Sequence, residues 1–329
     1  MTDTLVLVTG GTGHLGGHAI ARLLADGHRV RTTVRDLGRA AEIKAVHGDL
    51  EVVAADLGAD DGWAGATEGV DYVLHVASPF PPSSPENDDE VIRPARDGAV
   101  RVLAAAREAG VRRVVLTSSF AAVGYSATPR AEYTEADWTD PADPNSAYVR
   151  SKVIAERAAW EHVRSAGGPE LAVINPAGIF GPVLGGRPSS SVALVRAMLD
   201  GEMPVVPPLS FGVADVRDVA DLHVRAMTHP RAAGERFLAA SGKAISFLEL
   251  ARILAETVGG DALPTRELTA EEVRAAAETD PAMREAAGRL GRVPVIRTDK
   301  ARTVLGWRSR PVAETVADTA RSLLAARTR

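Results

Sequence analysis

Tyr148 and Lys152 stand four positions apart in Ser146-Ala147-Tyr148-Val149-Arg150-Ser151-Lys152, at the start of an Ala-rich stretch with helical spacing. Four residues apart on a helix, two side chains share one face, so a phenol and an ammonium lie side by side. A free phenol ionises near pH ~10, and a neighbouring positive charge favours the phenolate and lowers that value. Tuned in this way, a tyrosine can give a proton to a carbonyl oxygen in a reduction and take it back in an oxidation. Such chemistry needs a further group to hold the oxygen in line. Ser118 and Ser119 follow the apolar run Arg113–Thr117, at the kind of strand end where doubly wound sheets bind ligands. A hydroxyl from either one would stabilise the developing oxyanion.

A second set of residues points to a dinucleotide. Leu5–Val8 runs into Thr9-Gly10-Gly11-Thr12-Gly13-His14-Leu15-Gly16, with glycines three positions apart between a strand and a helix. Gly10 permits a tight turn, Gly13 lets backbone approach a pyrophosphate, and Gly16 allows close helix–strand packing. The helix N-terminus then offers free N–H groups and partial positive charge to the phosphates. Thr12, His14 and Leu15 belong to the same loop. In this arrangement the residue ending the second strand faces the adenosine ribose, where an acid selects NAD and a nearby arginine accepts the 2′-phosphate of NADP. Asp36 lies twenty positions beyond Gly16 and is the obvious acid, but the strand Arg29–Val34 ends on Val34 and continues into Arg35. Arg35 can pair with the phosphate and lay its guanidinium on the adenine, with Arg31 or Arg39 as assistants. NADP(H) is the expected cofactor. Asp56 and Leu57, after the third strand, are placed to contact adenine.

These groups need elements to carry them. Apolar, β-branched runs at Leu5–Val8, Arg29–Val34, Glu51–Ala54, Tyr72–Val76, Arg113–Thr117 and Leu171–Ile174 alternate with helical patterns near 14–26, 38–47, 88–109 and 145–166. The strands are continuously apolar, as when helices cover both faces, and the alternation predicts an α/β doubly wound parallel sheet of the Rossmann type. Past Pro176 the chain turns rich in Gly, Pro and Ser over 178–211. Further helical patterns occur at 190–201, 217–229, within 246–288 and at 312–327, with a strand at 235–239. The expected division is a dinucleotide-binding domain over 1–176, with 211–240 returning to it. A smaller, interleaved substrate lobe is expected from 177–210 and 241–329.

Bulk properties narrow the class. The 329 residues carry a formal net charge of −5 and no cysteine. That excludes disulfides, thiolate catalysis and cysteine-held zinc, and argues against a general nucleic-acid or membrane binder. The histidines show no metal-ligand spacing, so no metal is expected. His75, on an apolar strand, reads as a satisfied buried histidine, and Asp88-Asp89-Glu90 as the capping acids of a helix start. The N-terminal apolar run is too short for a signal peptide and no stretch is long enough for a membrane helix, so a cytoplasmic location is expected. Small-molecule chemistry in a monomer or homodimer fits this balance.

The motifs resemble the extended branch of the short-chain dehydrogenase/reductase superfamily over nearly the whole chain. Within it, Val30-Arg31-Thr32-Thr33-Val34-Arg35-Asp36, Leu74-His75-Val76-Ala77-Ser78-Pro79, Glu135-Ala136-Asp137-Trp138 and Asp215-Val216-Arg217-Asp218-Val219-Ala220 are similar to the dihydroflavonol-reductase group. Asn175-Pro176-Ala177-Gly178-Ile179-Phe180-Gly181-Pro182 is similar to microbial ketone and aldehyde reductases of that group. The resemblance implies Ser119 as the catalytic serine beside Tyr148 and Lys152, with Ser118 second in line. It also implies that Lys152 bonds the nicotinamide ribose, that Ala77, Ser78 and Pro176 line the cofactor, and that Ser191 reaches it. Two departures speak against the plant polyphenol and cinnamoyl-CoA substrates. Val123 replaces the asparagine four residues after the serine, and the sequence around the tyrosine differs. A carbonyl reductase or alcohol dehydrogenase acting on a generic ketone, aldehyde or secondary alcohol is the expectation. Candidate pocket walls are Phe80, Phe120, Val123, Tyr125, Asn175, Ile179, Phe180, Leu184 and Phe211. Two other readings share the loop and the tyrosine: an NAD-dependent sugar-nucleotide epimerase or dehydratase, disfavoured by Val34-Arg35, and a non-catalytic dinucleotide sensor, which has no need of a proton donor.

Overall fold

The computed structural model describes residues 4–79, 87–185, 189–260 and 262–327. Six strands, β1 (Leu5–Thr9), β2 (Arg29–Val34), β3 (Glu51–Ala54), β4 (Tyr72–His75), β5 (Arg113–Thr117) and β6 (Glu170–Pro176), join the strand Arg236–Ala239 in one seven-stranded sheet. Every pairing in it is parallel, in the order Arg236–Ala239, β6, β5, β4, β1, β2, β3. The sheet is the predicted doubly wound Rossmann type. Alternation along each strand divides the core. Val6, Val8, Leu74 and Val115 pack on the face covered by α1 (His14–Ala25) and, later in the chain, by the helix Val216–Thr228. Leu5, Leu7, Val73, Val114 and Leu116 pack on the other. There they meet Trp63, Ala66, Val102, Leu103 and Ala159, carried by α3 (Trp63–Thr67), α4 (Asp89–Glu108) and α5 (Ala147–Ala166), while α2 (Ala40–His47) connects β2 to β3. Each fully buried Leu or Val contributes about 1.5–3 kcal/mol, enough to fix the register of every strand.

The order places β1 beside β4, where the winding of the sheet reverses and the strand ends diverge into a crevice. Thr9 is in register with His75 there. β6 is longer than the predicted Leu171–Ile174, because Arg236–Ala239 pairs with Val173–Pro176 and extends it at its C-terminal end. The short helix α3 is absent from the sequence reading; its five residues are too few to show a period. At the start of α4, Asp89 and Glu90 sit in the first turn as expected. Asp88 does not cap it, however; its carboxylate is drawn to the Arg150 guanidinium on α5.

Beyond the sheet, the helices Ser190–Leu199, Phe247–Val258 and Val312–Arg327 enclose a second core around Phe180, Val192, Met198, Leu250 and Val316. No helix among the described residues is long and apolar enough to cross a membrane. No group of three or more histidines and acids among them is placed to hold a metal ion.

Candidate active site

The phosphate loop takes a form that only its glycines allow. Gly10 has φ +75°, and a β-carbon on it would lie 3.0 Å from the backbone of Ala77 at the end of β4. A β-carbon on Gly16 would fall 2.2 Å from the Gly10 carbonyl oxygen. The loop therefore presses closely against the β4 end and the start of α1. Gly13 is the N-cap, extended and without a side-chain cap, so the twelve-residue helix offers its first N–H groups to a ligand. His14 is buried, held neutral with its pKa lowered to about 4 chiefly by desolvation, and its Nε2 is buried without a partner in the protein. These are the features a pyrophosphate cradle needs, and the residues present fit a dinucleotide.

At the adenosine corner, Arg35 is exposed immediately past β2. Asp36 accepts a hydrogen bond from Gly38 N at 2.9 Å, so its carboxylate serves as a local cap. Arg39 reaches Thr12 Oγ1 at 3.3 Å while pairing with Glu42. Arg31 is not available as an assistant. It is committed to Glu51 at 2.8 Å and to the carbonyls of Gly65, Ala66 and Glu68. Asp56 is exposed, with its carboxylate on Gly58 N. Leu57 is half-buried and packs against Gly98 of α4, where any larger side chain would collide with it.

The hydroxyls that matter meet at the C-terminal crest of the sheet. Ser119 leaves β5 in extended conformation, caps the turn Phe120–Ala122 by accepting from Ala121 N at 3.1 Å, and lies beside the Tyr148 phenol. Tyr148 is 36% exposed. Lys152, one helical turn on, is buried and places Nζ 5.8 Å from the Tyr148 ring centre. It donates to Ser78 Oγ at 2.9 Å. This corrects one expectation. The ammonium does not bring the phenol down in the protein alone: burial pushes the Tyr148 phenol up, the Ser119 hydroxyl opposes that, and Tyr125 adds to it. Lys152 is itself lowered to about 8, mainly by desolvation. Tyr148 therefore keeps its proton at neutral pH, the state a donor requires.

The other candidates sort by what they touch. Ser118 is buried, and its hydroxyl donates to Glu156 at 2.5 Å, away from Tyr148. His75 is buried, bonded to Thr9 Oγ1 at 2.8 Å and held neutral at about 3 by desolvation and the Lys152 charge. Ala77 takes Thr9 Oγ1 on its N–H, and Pro176 ends β6 at the same crest. Ser191 lies in the first turn of the helix after the 178–180 strand, near Gly178.

Several proposed pocket walls are core instead. Phe120 and Val123 are buried with Tyr133 and Leu238, and Phe120 meets Tyr133 edge-on at 5.3 Å. Phe180 is 1% exposed and stacks on Phe211, which packs on Phe247. Asn175 is fully buried and donates to Ser119 O and Glu156. Aromatic and amide residues near a strand end resemble pocket walls in sequence; cross-chain packing decides otherwise. Ile179 is half-buried against the sheet core and Leu184 is exposed. Tyr125 stays beside Tyr148, its hydroxyl held by Arg289 at 3.0 Å. Phe80 lies outside the described residues. Sequence reasoning missed Glu156 and Arg289. The first carries a weak signal, a glutamate one turn beyond Lys152, and the second carries none. A groove of about 940 Å³ beside α5, with Trp138, Trp160 and Arg236 in its wall, contains none of Ser119, Tyr148 and Lys152.

The chain matches the NAD dependent epimerase/dehydratase family over residues 6–240 and belongs to it. It is 34% identical to tetraketide alpha-pyrone reductase 2 of Arabidopsis thaliana, across 69% of this chain and 75% of that protein. With the cinnamoyl-CoA reductase CAD2 of Medicago truncatula it shares 32% identity, across 80% and 83% of the two chains. The crystal structure of yeast methylglyoxal/isovaleraldehyde reductase Gre2 complexed with NADPH superposes with a TM-score of 0.82, at 26% identity, over 99% of this chain and 100% of that one. Fold and relatives together define an extended short-chain dehydrogenase/reductase, a class of nicotinamide-dependent oxidoreductases. Within that class the chain falls in the dihydroflavonol-reductase-like group.

Proposed function

We propose that the protein is an NADP(H)-dependent reductase that interconverts a ketone or aldehyde and its alcohol, with Tyr148 as the proton donor and acceptor. The observation that carries this reading is the arrangement at the sheet crest, where Ser119 past the end of β5 lies beside the Tyr148 phenol with Lys152 one helical turn on. Two hydroxyls that meet there can both reach one substrate oxygen. When bound, the reduced nicotinamide supplies the hydride. Gly10, Gly13, Gly16 and the N-terminus of α1 would hold its pyrophosphate, Arg35 would take its 2′-phosphate, and Ala77, Ser78 and Pro176 would line it. Ser119 orients the carbonyl oxygen and donates to the growing oxyanion. Tyr148 gives its proton to that oxygen, and Lys152 stabilises the phenolate that remains. The lobe built from 177–210 and 241–329, with Tyr125, supplies the substrate side. NADPH in the Gre2 complex and reductases among the relatives support this reading.

The test is a panel of ketones, aldehydes and secondary alcohols assayed with NADPH and NADH. Turnover of a simple carbonyl with NADPH is expected. Failure across the panel, with tightly retained NAD and interconversion of a nucleotide sugar, would establish the epimerase reading instead. The two serines separate in the same assay. Ser119→Ala is expected to lower kcat by about 10²–10³-fold, the cost of one oxyanion donor. Ser118→Ala leaves kcat within tenfold and lowers stability by about 1–2 kcal/mol, because a buried carboxylate loses one donor. A larger kcat loss at 118 than at 119 would reverse the assignment.

A further inference from the structure

Behind the catalytic helix, Glu156 gathers residues from four elements. It is 1% exposed and lies one helical turn beyond Lys152 on α5. Its carboxylate accepts five hydrogen bonds: from Ser118 Oγ at 2.5 Å, Asn175 Nδ2 at 2.7 Å, Arg236 Nε at 2.6 Å and Nη2 at 3.4 Å, and Trp160 Nε1 at 3.3 Å. Burying a charge costs several kcal/mol unless it is paired and fully hydrogen-bonded, so a set this complete is held for structure, for function, or for both. The partners decide between these. Ser118 immediately precedes Ser119, and Asn175 also donates to the Ser119 carbonyl oxygen at 3.2 Å. On the other side, Glu156 and Lys152 line one small cavity of about 20 Å³ with His75, Ser78, Thr117 and Ser118. A space of that size admits roughly one water molecule.

We propose that Glu156 is a positioning residue for the reduction: it is the buried counter-ion of Lys152, and its carboxylate seats α5 against the ends of β5 and β6 so that Ser119 and Tyr148 meet. The proposal rests on the reading of Ser119, Tyr148 and Lys152 as the reacting site. Around Lys152, β4 and the residues after it contribute His75 and Ser78, β5 contributes Thr117 and Ser118, α4 contributes only Ala95 and Ala99, and α5 itself contributes Tyr148 and Glu156. Arg236 lies beyond Glu156, bonded to it. His75 is neutral throughout the working range, since its pKa is held at about 3. Glu156 is therefore the one carboxylate among these groups. Burial draws Lys152 down to about 8 and Glu156 opposes that fall. Lys152 loses its proton as pH rises through that value. Removing the carboxylate moves the loss to lower pH.

The chain has lysines only at positions 44, 152, 243 and 300, so the Lys152 side-chain carbon can be followed by NMR and assigned against Lys152→Met. In Glu156→Gln the Lys152 midpoint is expected to fall by about one pH unit. The alkaline limb of the kcat profile moves with it, leaving kcat roughly tenfold lower above pH 8. Trp160→Phe removes another bond to the same carboxylate without changing its charge, and is expected to lower Tm while leaving both readouts in place. Should Glu156→Gln fail to fold because Arg236 is left without its carboxylate, the double variant Glu156→Gln/Arg236→Met removes both charges and carries a shift of the same sign, smaller because the more distant Arg236 cation is lost too. An unmoved Lys152 midpoint in the folded variant, or an equal shift in Trp160→Phe, overturns the proposal. The midpoint needs no turnover, so it stands or falls apart from the reaction assigned to Tyr148.

Discussion

Tyr148→Phe is expected to lower kcat by about a thousandfold or more while leaving NADPH affinity within threefold of the parent, because general acid catalysis supplies about 10²–10⁴ in rate. The substitution removes one oxygen. The ring stays where α5 puts it, and the phosphate loop, Arg35 and Lys152 are untouched. Its effect on stability is small, since the residue is 36% exposed and the ring itself is kept. Single-turnover kinetics with NADPH isolate the chemical step, and fluorescence titration gives the cofactor affinity. A variant that retains a tenth of the parent rate would remove Tyr148 from the mechanism. One that loses rate and NADPH affinity together would show a disturbed cofactor site rather than a lost proton donor.

Arg35→Ala is expected to weaken NADPH by about 10–100-fold, the worth of one or two charge-assisted hydrogen bonds at about 1.5–3 kcal/mol. NADH should change by less than threefold. The reasoning is geometric. Val34 ends β2 and Arg35 is exposed directly after it, while the adjacent acid, Asp36, is turned back onto Gly38. Arg39 already shares Glu42 and touches Thr12, so Arg39→Ala should cost NADPH less than Arg35→Ala does. Both dissociation constants, measured at one ionic strength, decide the matter, because screening weakens exposed charge pairs. Equal losses for the two cofactors would show that Arg35 does not read the phosphate.

Much of the scaffold was legible from local pattern. β2, β3 and β5 fall at the predicted residues, and α1, α4 and α5 within two residues of theirs. The winding of the sheet followed from the alternation of apolar strands and amphipathic helices. Tyr148 and Lys152 were readable because four positions on a helix is a local geometry. Choosing between Ser118 and Ser119 needed more. Adjacent residues leaving a strand point opposite ways, and only the packed partners show that Ser118 turns to Glu156 while Ser119 turns to Tyr148.

What the residues determined by themselves is therefore set by short-range sterics and hydrophobic period: the glycine turn, the strand–helix alternation, the tyrosine–lysine pair, and an arginine after β2. Tertiary structure alone decided the contacts between distant positions. Glu156 meets Arg236 across 80 residues, and Asn175 reaches Ser119 across 56. It also placed Phe120, Val123 and Phe180 in the core, and it set the balance of burial against charge that leaves Tyr148 protonated and Lys152 near 8. The physical reason is that desolvation depends on everything packed around a group, and most of those neighbours are remote in the chain.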